Sequence, residues 1–159
     1  MAGKKALVVF YSRSGTTRRL AKMLSQLMRC EIEEIVETGS RSGVVGYLRS
    51  VFEAVHKRSP AIVPPTKDPS SYDLVVIGTP VWGASVSSPV RSYLAAHRGR
   101  LPEVAFFCTL GGRGSGRAFA QMEALVGKAP RAHCAVMASE VASGNPSTKV
   151  LDFIRLLSV

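Results

Sequence analysis

Three runs of apolar residues, Ala6–Phe10, residues 74–78 and residues 104–108, show no polar alternation, and this restricts the folds open to the chain. A strand with one wet face alternates polar with apolar. A strand without alternation is covered on both faces, and in a sheet that cover is made of helices. Two weaker candidates, residues 32–36 and 134–138, are less apolar or flanked by charge, which suits the edges of a sheet.

Helical spacing fills the intervals. Leu20, Leu24, Leu27 and Met28 mark one apolar face, and Val44, Leu48, Val51, Phe52 and Val55 mark another in a helix expected over residues 44–56. Val90, Leu94 and His97 mark a third, followed by Phe119, Met122 and Val126. At the end of the chain Asn145 can cap, Pro146 suits the first helical position, and Val150, Ile154 and Leu157 supply the apolar face. Residues 38–43, 59–71 and 139–146 read as loops rather than linkers. Strand and helix alternating in this way imply right-handed crossovers and a mostly parallel five-stranded sheet with helices on both faces, a three-layer doubly wound α/β fold. A single domain over residues 1–159 is expected at this length.

Composition narrows the functional classes. The apolar runs are strand-length, so no membrane span is expected. The lysines at positions 4 and 5 precede too short an apolar run for a secretory signal, which makes a cytoplasmic protein the expectation. Cys30, Cys108 and Cys134 are odd in number and unpaired in spacing, suggesting neither a disulfide framework nor a zinc site. The net charge of +10 favours acidic partners, but the basic residues are scattered and no aromatic-interleaved motif accompanies them, so nucleic acid is not expected.

Ligands of an open parallel sheet sit at the carboxyl ends of strands where the winding reverses. The loop after the first strand is Ser12-Arg13-Ser14-Gly15-Thr16-Thr17, and its hydroxyls and helix-opening N–H groups offer donors to a phosphate. A helix cap alone would need fewer hydroxyls. The loop after the third strand carries Thr79, Pro80, Val81, Trp82, Gly83, Ala84 and Ser85; its tryptophan, the only one in the chain, suits either a wall for a flat ligand or a lid on the core. After the fourth strand come Thr109, Leu110, Gly111, Gly112, Arg113 and Gly114.

Over nearly its whole length the chain resembles the short-chain, FMN-binding members of the flavodoxin-like family. The resemblance lies in the hydroxyls of Ser12, Ser14 and Thr17 around Gly15, in the aromatic Trp82 and in the glycine-rich third loop. It implies the strand order 2-1-3-4-5 and FMN as cofactor. On that basis Ser12, Arg13, Ser14, Gly15, Thr16 and Thr17 lie at the phosphate, Pro80, Val81, Trp82 and Gly83 flank the flavin ring, and Thr109, Leu110, Gly111 and Gly112 meet its pyrimidine edge. A carbonyl near Gly83 would accept a hydrogen bond from flavin N5. The implied function is electron transfer between a reductase and an acceptor. Alternatives are an FMN-dependent NAD(P)H:quinone-type oxidoreductase or oxidase and a non-catalytic interaction module, and the expected partner is a redox protein, acidic by charge complementarity, or a small quinone-like acceptor.

The chain departs from the family in its basic charge and in lacking a tyrosine in the third loop, a place Tyr11 or Tyr47 could fill. Rival motifs fail. The GxGxxG pattern breaks at Arg117 or Phe119, the first loop has no Walker lysine, and Cys108 to Arg113 is one residue short of a phosphatase loop. His56, His97 and His133 lack ligand spacing and read as surface or boundary residues. Glu31, Glu33, Glu34 and Glu37 read as the solvated side of an edge strand.

Overall fold

The computed structural model describes residues 3–38 and 61–158. The helix expected over residues 44–56, Tyr47 and His56 lie outside the described residues. The elements in chain order are β1 (Ala6–Phe10), α1 (Thr16–Met28), β2 (Glu31–Glu34), a 3-10 turn (Pro69–Ser71), β3 (Leu74–Trp82) and β4 (Ser85–Val86). There follow α2 (Ser88–His97), β5 (Glu103–Leu110), α3 (Ser115–Val126), β6 (His133–Met137), α4 (Ala138–Ala142) and α5 (Thr148–Leu157).

The sheet runs β2-β1-β3-β5-β6 with every one of these neighbours parallel, and β4 pairs antiparallel with the end of β3. Without the two-residue β4, this is the order 2-1-3-4-5. The apolar runs form the centre: all of β1 is buried, and Leu74, Val75, Val76, Ile77, Val104, Ala105, Phe106, Phe107 and Cys108 are 0 or 1% exposed. Successive side chains point to opposite faces of a strand, and the core divides accordingly. Leu7, Val9, Val75, Ile77 and Phe106 pack with α2 and α3, whereas Val8, Phe10, Val76 and Phe107 pack with α1 and α5.

Several boundaries differ from the sequence reading. β3 and β5 continue past residues 78 and 108 because they keep pairing with each other as far as Pro80 and Thr109. β1 pairs with β3 only up to Gly78, so the missing N–H of Pro80 costs no bond on that side. Residues 139–142, expected in a loop, and Ala138, expected to end the last strand, form the short helix α4, in which Glu140 accepts from Met137 N at 3.1 Å. α5 starts at Thr148 behind Ser147, two residues beyond the expected Pro146. Leu27 is 45% exposed, and the buried stripe of α1 is Thr17, Leu20, Ala21, Leu24 and Ser25. His97 is buried, its Nδ1 2.8 Å from the Tyr93 carbonyl oxygen.

The acidic edge is solvated only in part, with Glu31 exposed and Glu33 and Glu34 half-buried. Glu37 is buried and accepts from Tyr11 Oη at 2.9 Å, Glu34 pairs with Arg18, Glu33 accepts from Thr66, and Glu31 accepts from Tyr72 Oη. Burial and the Glu31 carboxylate together push the Tyr72 phenol up to about 12.

Candidate functional site

The winding reverses between β1 and β3, and the loops beyond the carboxyl ends of β1, β3 and β5 meet there. They enclose a cavity of about 140 Å³. Arg13, Ser14, Thr16 and Thr17 line it from the first loop, Pro80, Val81 and Trp82 from the end of β3, and Thr109, Leu110 and Gly111 from the end of β5. Ala138, at the start of α4, completes the wall. Ala138 carries no sequence signal of its own for the site; it directly follows β6, which ends at Met137, one residue before the strand end expected from the sequence, where the rule about strand ends points.

An adjoining cavity of about 190 Å³ is lined by Ser14, Gly15, Thr16 and Arg19 on one side and by Ala138, Val141 and Ala142 of α4 on the other. Among the described residues, no carboxylate lines either cavity. Helix α1 begins at Gly15, whose φ is +104°, with no side chain capping it. Its first bonded N–H is that of Arg19, which donates to the Gly15 carbonyl at 3.0 Å, so the N–H groups of Thr16, Thr17 and Arg18 have no partner within the helix. The hydroxyls therefore do not serve as a cap. Ser12 is buried, and its Oγ accepts from Gly15 N at 3.0 Å, folding the loop on itself.

Thr17 and Thr109 join the first loop to the third. Their Oγ1 atoms lie 2.8 Å apart and both residues are buried. One hydroxyl spends its hydrogen on the other, so only the accepting member can still donate to a ligand.

The β3 end is a hairpin rather than an open loop. Gly83 and Ala84 have φ of +54° and +58°, the pair of positive values that a two-residue turn with matching twist needs. Trp82 is 8% exposed and meets Tyr11 edge to face at a centroid distance of 5.6 Å. It is thus core and cavity wall at once. Tyr11 packs beside Trp82 and is only 6% exposed, so it does not supply an outer stacking ring.

The third loop is locked to this hairpin at Gly114, where a Cβ would come within 2.5 Å of Ala84 Cα. Gly114 thus serves close packing and the start of α3. Gly111 and Gly112 face open space, and Gly83, Gly112, Ser12 and Gly15 do not line the 140 Å³ cavity. Cys108 is fully buried in β5, and desolvation pushes its thiol up to about 12, which removes it as a nucleophile. Burial likewise raises Cys30 and Cys134 to about 11.

A larger cavity of about 310 Å³ lies against the β2 edge, between residues 32–36 and 62–67. Its acidic groups are committed, since Glu33 accepts from Thr66 and Lys67 and Glu34 pairs with Arg18. The three-loop site is therefore the better candidate.

A doubly wound sheet whose switch point carries a helix start without a side-chain cap, several hydroxyls and, among the described residues, no carboxylate defines the class of this protein as open-sheet α/β with a candidate ligand site at its strand ends. The flavodoxin family model matches residues 5–145, and the chain belongs to the flavodoxin family. No curated protein matches the sequence.

Solved structures agree on the fold. A flavoprotein from Lactobacillus acidophilus NCFM, crystallised in complex with FMN, is 23% identical with a TM-score of 0.74, covering 88% of this chain and 97% of its own. The solution structure of an apo-form flavoprotein from the same organism is 25% identical with a TM-score of 0.65, covering 91% and 99%. Two-electron reduced flavodoxin from Megasphaera elsdenii is 16% identical with a TM-score of 0.57, covering 96% and 99%.

Proposed function

We propose that this protein binds FMN without a covalent bond and carries electrons between a reductase and an acceptor. The observation that supports this most is the convergence of the three strand-end loops on a cavity that no described carboxylate lines, at the α1 N–H groups that have no partner within the helix. Those N–H groups and the hydroxyls of Ser14 and Thr16 suit a phosphate, while Pro80, Val81 and Trp82 suit the apolar ring. Bound FMN supplies the one- and two-electron chemistry. The chain's own part is to orient the ring against Trp82, to exclude water from one side of it and to offer a backbone carbonyl at the exposed Gly83 turn to the ring edge.

The net charge of +10 favours an acidic protein partner by long-range attraction. The carrier is proposed to be cytoplasmic; no helix among the described residues is long and apolar enough to cross a membrane.

The deciding experiment begins with titration of the apo-protein by FMN, followed in the visible spectrum. A carrier takes up FMN and turns over with NAD(P)H only when a separate reductase is added. NAD(P)H oxidation with a quinone and no reductase would make the protein an FMN-dependent enzyme instead. A chain that takes up no FMN would be a non-catalytic module with this fold.

A further inference from the structure

Arg13, Arg18 and Arg19 crowd the start of α1, and a phosphate site built on neutral donors has no need of them. The structure separates their roles. Arg18 is committed elsewhere: its Nε and Nη2 donate to the two oxygens of Glu34 at 3.0 and 2.6 Å, a two-pronged pair that ties α1 to β2. Arg13 lines the cavity that Trp82 also lines. Arg19 is exposed, makes no ion pair among the described residues, and lines the neighbouring cavity with Ser14, Gly15 and Thr16.

The two cavities share Ser14, Thr16 and Ala138, so they are adjacent parts of one groove. Pro80, Val81 and Trp82 wall only one part, which Arg13 and Thr17 also line, whereas Gly15 and Arg19 at the opening of α1 line only the other. A mononucleotide is likewise two-ended, with an apolar ring at one end and a phosphate carrying roughly −1.5 to −2 charges at neutral pH at the other.

We infer that Arg19 is a specificity-determining residue that recognises the phosphate dianion, adding a salt-sensitive charge contact to the neutral donors of the loop. This rests on the FMN reading above. Because Arg19 is exposed, its contact is screened by salt and moderate in size. Glu34 keeps Arg18 out of that role.

The test measures dissociation constants of FMN and riboflavin by quenching of flavin fluorescence, at low and high ionic strength, for the wild type, Arg19→Gln, Arg19→Lys and Arg18→Gln. Arg19→Gln is expected to weaken FMN by about two- to fivefold at low salt and to leave riboflavin unchanged. The FMN deficit should shrink as salt rises, Arg19→Lys should recover part of it, and Arg18→Gln should keep the wild-type ratio of FMN to riboflavin affinity. Unchanged FMN affinity in Arg19→Gln would overturn the assignment while leaving the FMN reading intact. Equal weakening of both ligands would overturn it as well, by making Arg19 a structural residue. A wild type that binds neither ligand would overturn the FMN reading and the assignment together.

Discussion

At Gly78 a single hydrogen atom decides whether β3 and β5 can lie side by side. A Cβ built there would fall 2.0 Å from Cζ of Phe107, whose ring covers the glycine and is itself fully buried. Gly78→Ala therefore overpacks a rigid site, and a loss of about 1–3 kcal/mol or more is expected in urea unfolding. Gly78→Ala with Phe107→Leu should lose less than the two single changes added together, because the smaller side chain makes room; strict additivity would show that the ring is not the obstacle. The sequence marked Gly78 only as the end of an apolar run, since nothing local reveals a ring 29 positions away in register. The same holds for the buried bond of Thr17 to Thr109, 92 residues apart. Pattern reading names the residue types at a site, whereas tertiary pairing decides which hydroxyl still has a hydrogen to give.

Among the elements, the apolar strands and most amphipathic helices were legible because burial on one or two faces imposes a period. β4 and α4 were not, being two and five residues long, too short for any period to show. Both matter to the site: β4 turns Trp82 back against Tyr11, and α4 brings Ala138 to the cavity. The hairpin between β3 and β4 also holds a local conflict, because Ala84 sits at φ +58°, where a side chain costs about 1 kcal/mol. Ala84→Gly should remove that cost and raise stability by about 0.5–1 kcal/mol, seen as a higher urea midpoint at an unchanged slope. A lower midpoint would mean that the Ala84 methyl against Gly114 stabilises the junction of the second and third loops by more than the turn strain costs.

Over the whole molecule, charge is the property least implied by the fold and most relevant to pH. There are 21 lysines and arginines against 11 carboxylates, so acidification leaves the cations progressively unopposed and strains the compact state. Particular carboxylates resist that change. Glu103, at the start of β5, accepts from Arg131 at 2.7 Å and from Lys4 at 3.3 Å, and these contacts, Arg131 first, hold its pKa below the usual glutamate value. Glu140 is held down in the same sense by the Met137 N–H and then by Lys149. A carboxylate whose folded pKa is depressed contributes stability that is complete above its unfolded pKa, about 4.3, and is lost as pH falls through the folded value. Glu103 is 40% exposed, so screening keeps its contribution small, under about 1 kcal/mol. Glu103→Gln should therefore unfold at a slightly lower urea concentration than the wild type at pH 7, and the gap should narrow as pH falls below the unfolded glutamate pKa and through the depressed folded value. If the gap stayed constant over that acid range, the cause would be lost packing or backbone contact rather than the ionised group. Narrowing would assign it to the charge that joins the N-terminal segment and the start of β6 to the central strand β5.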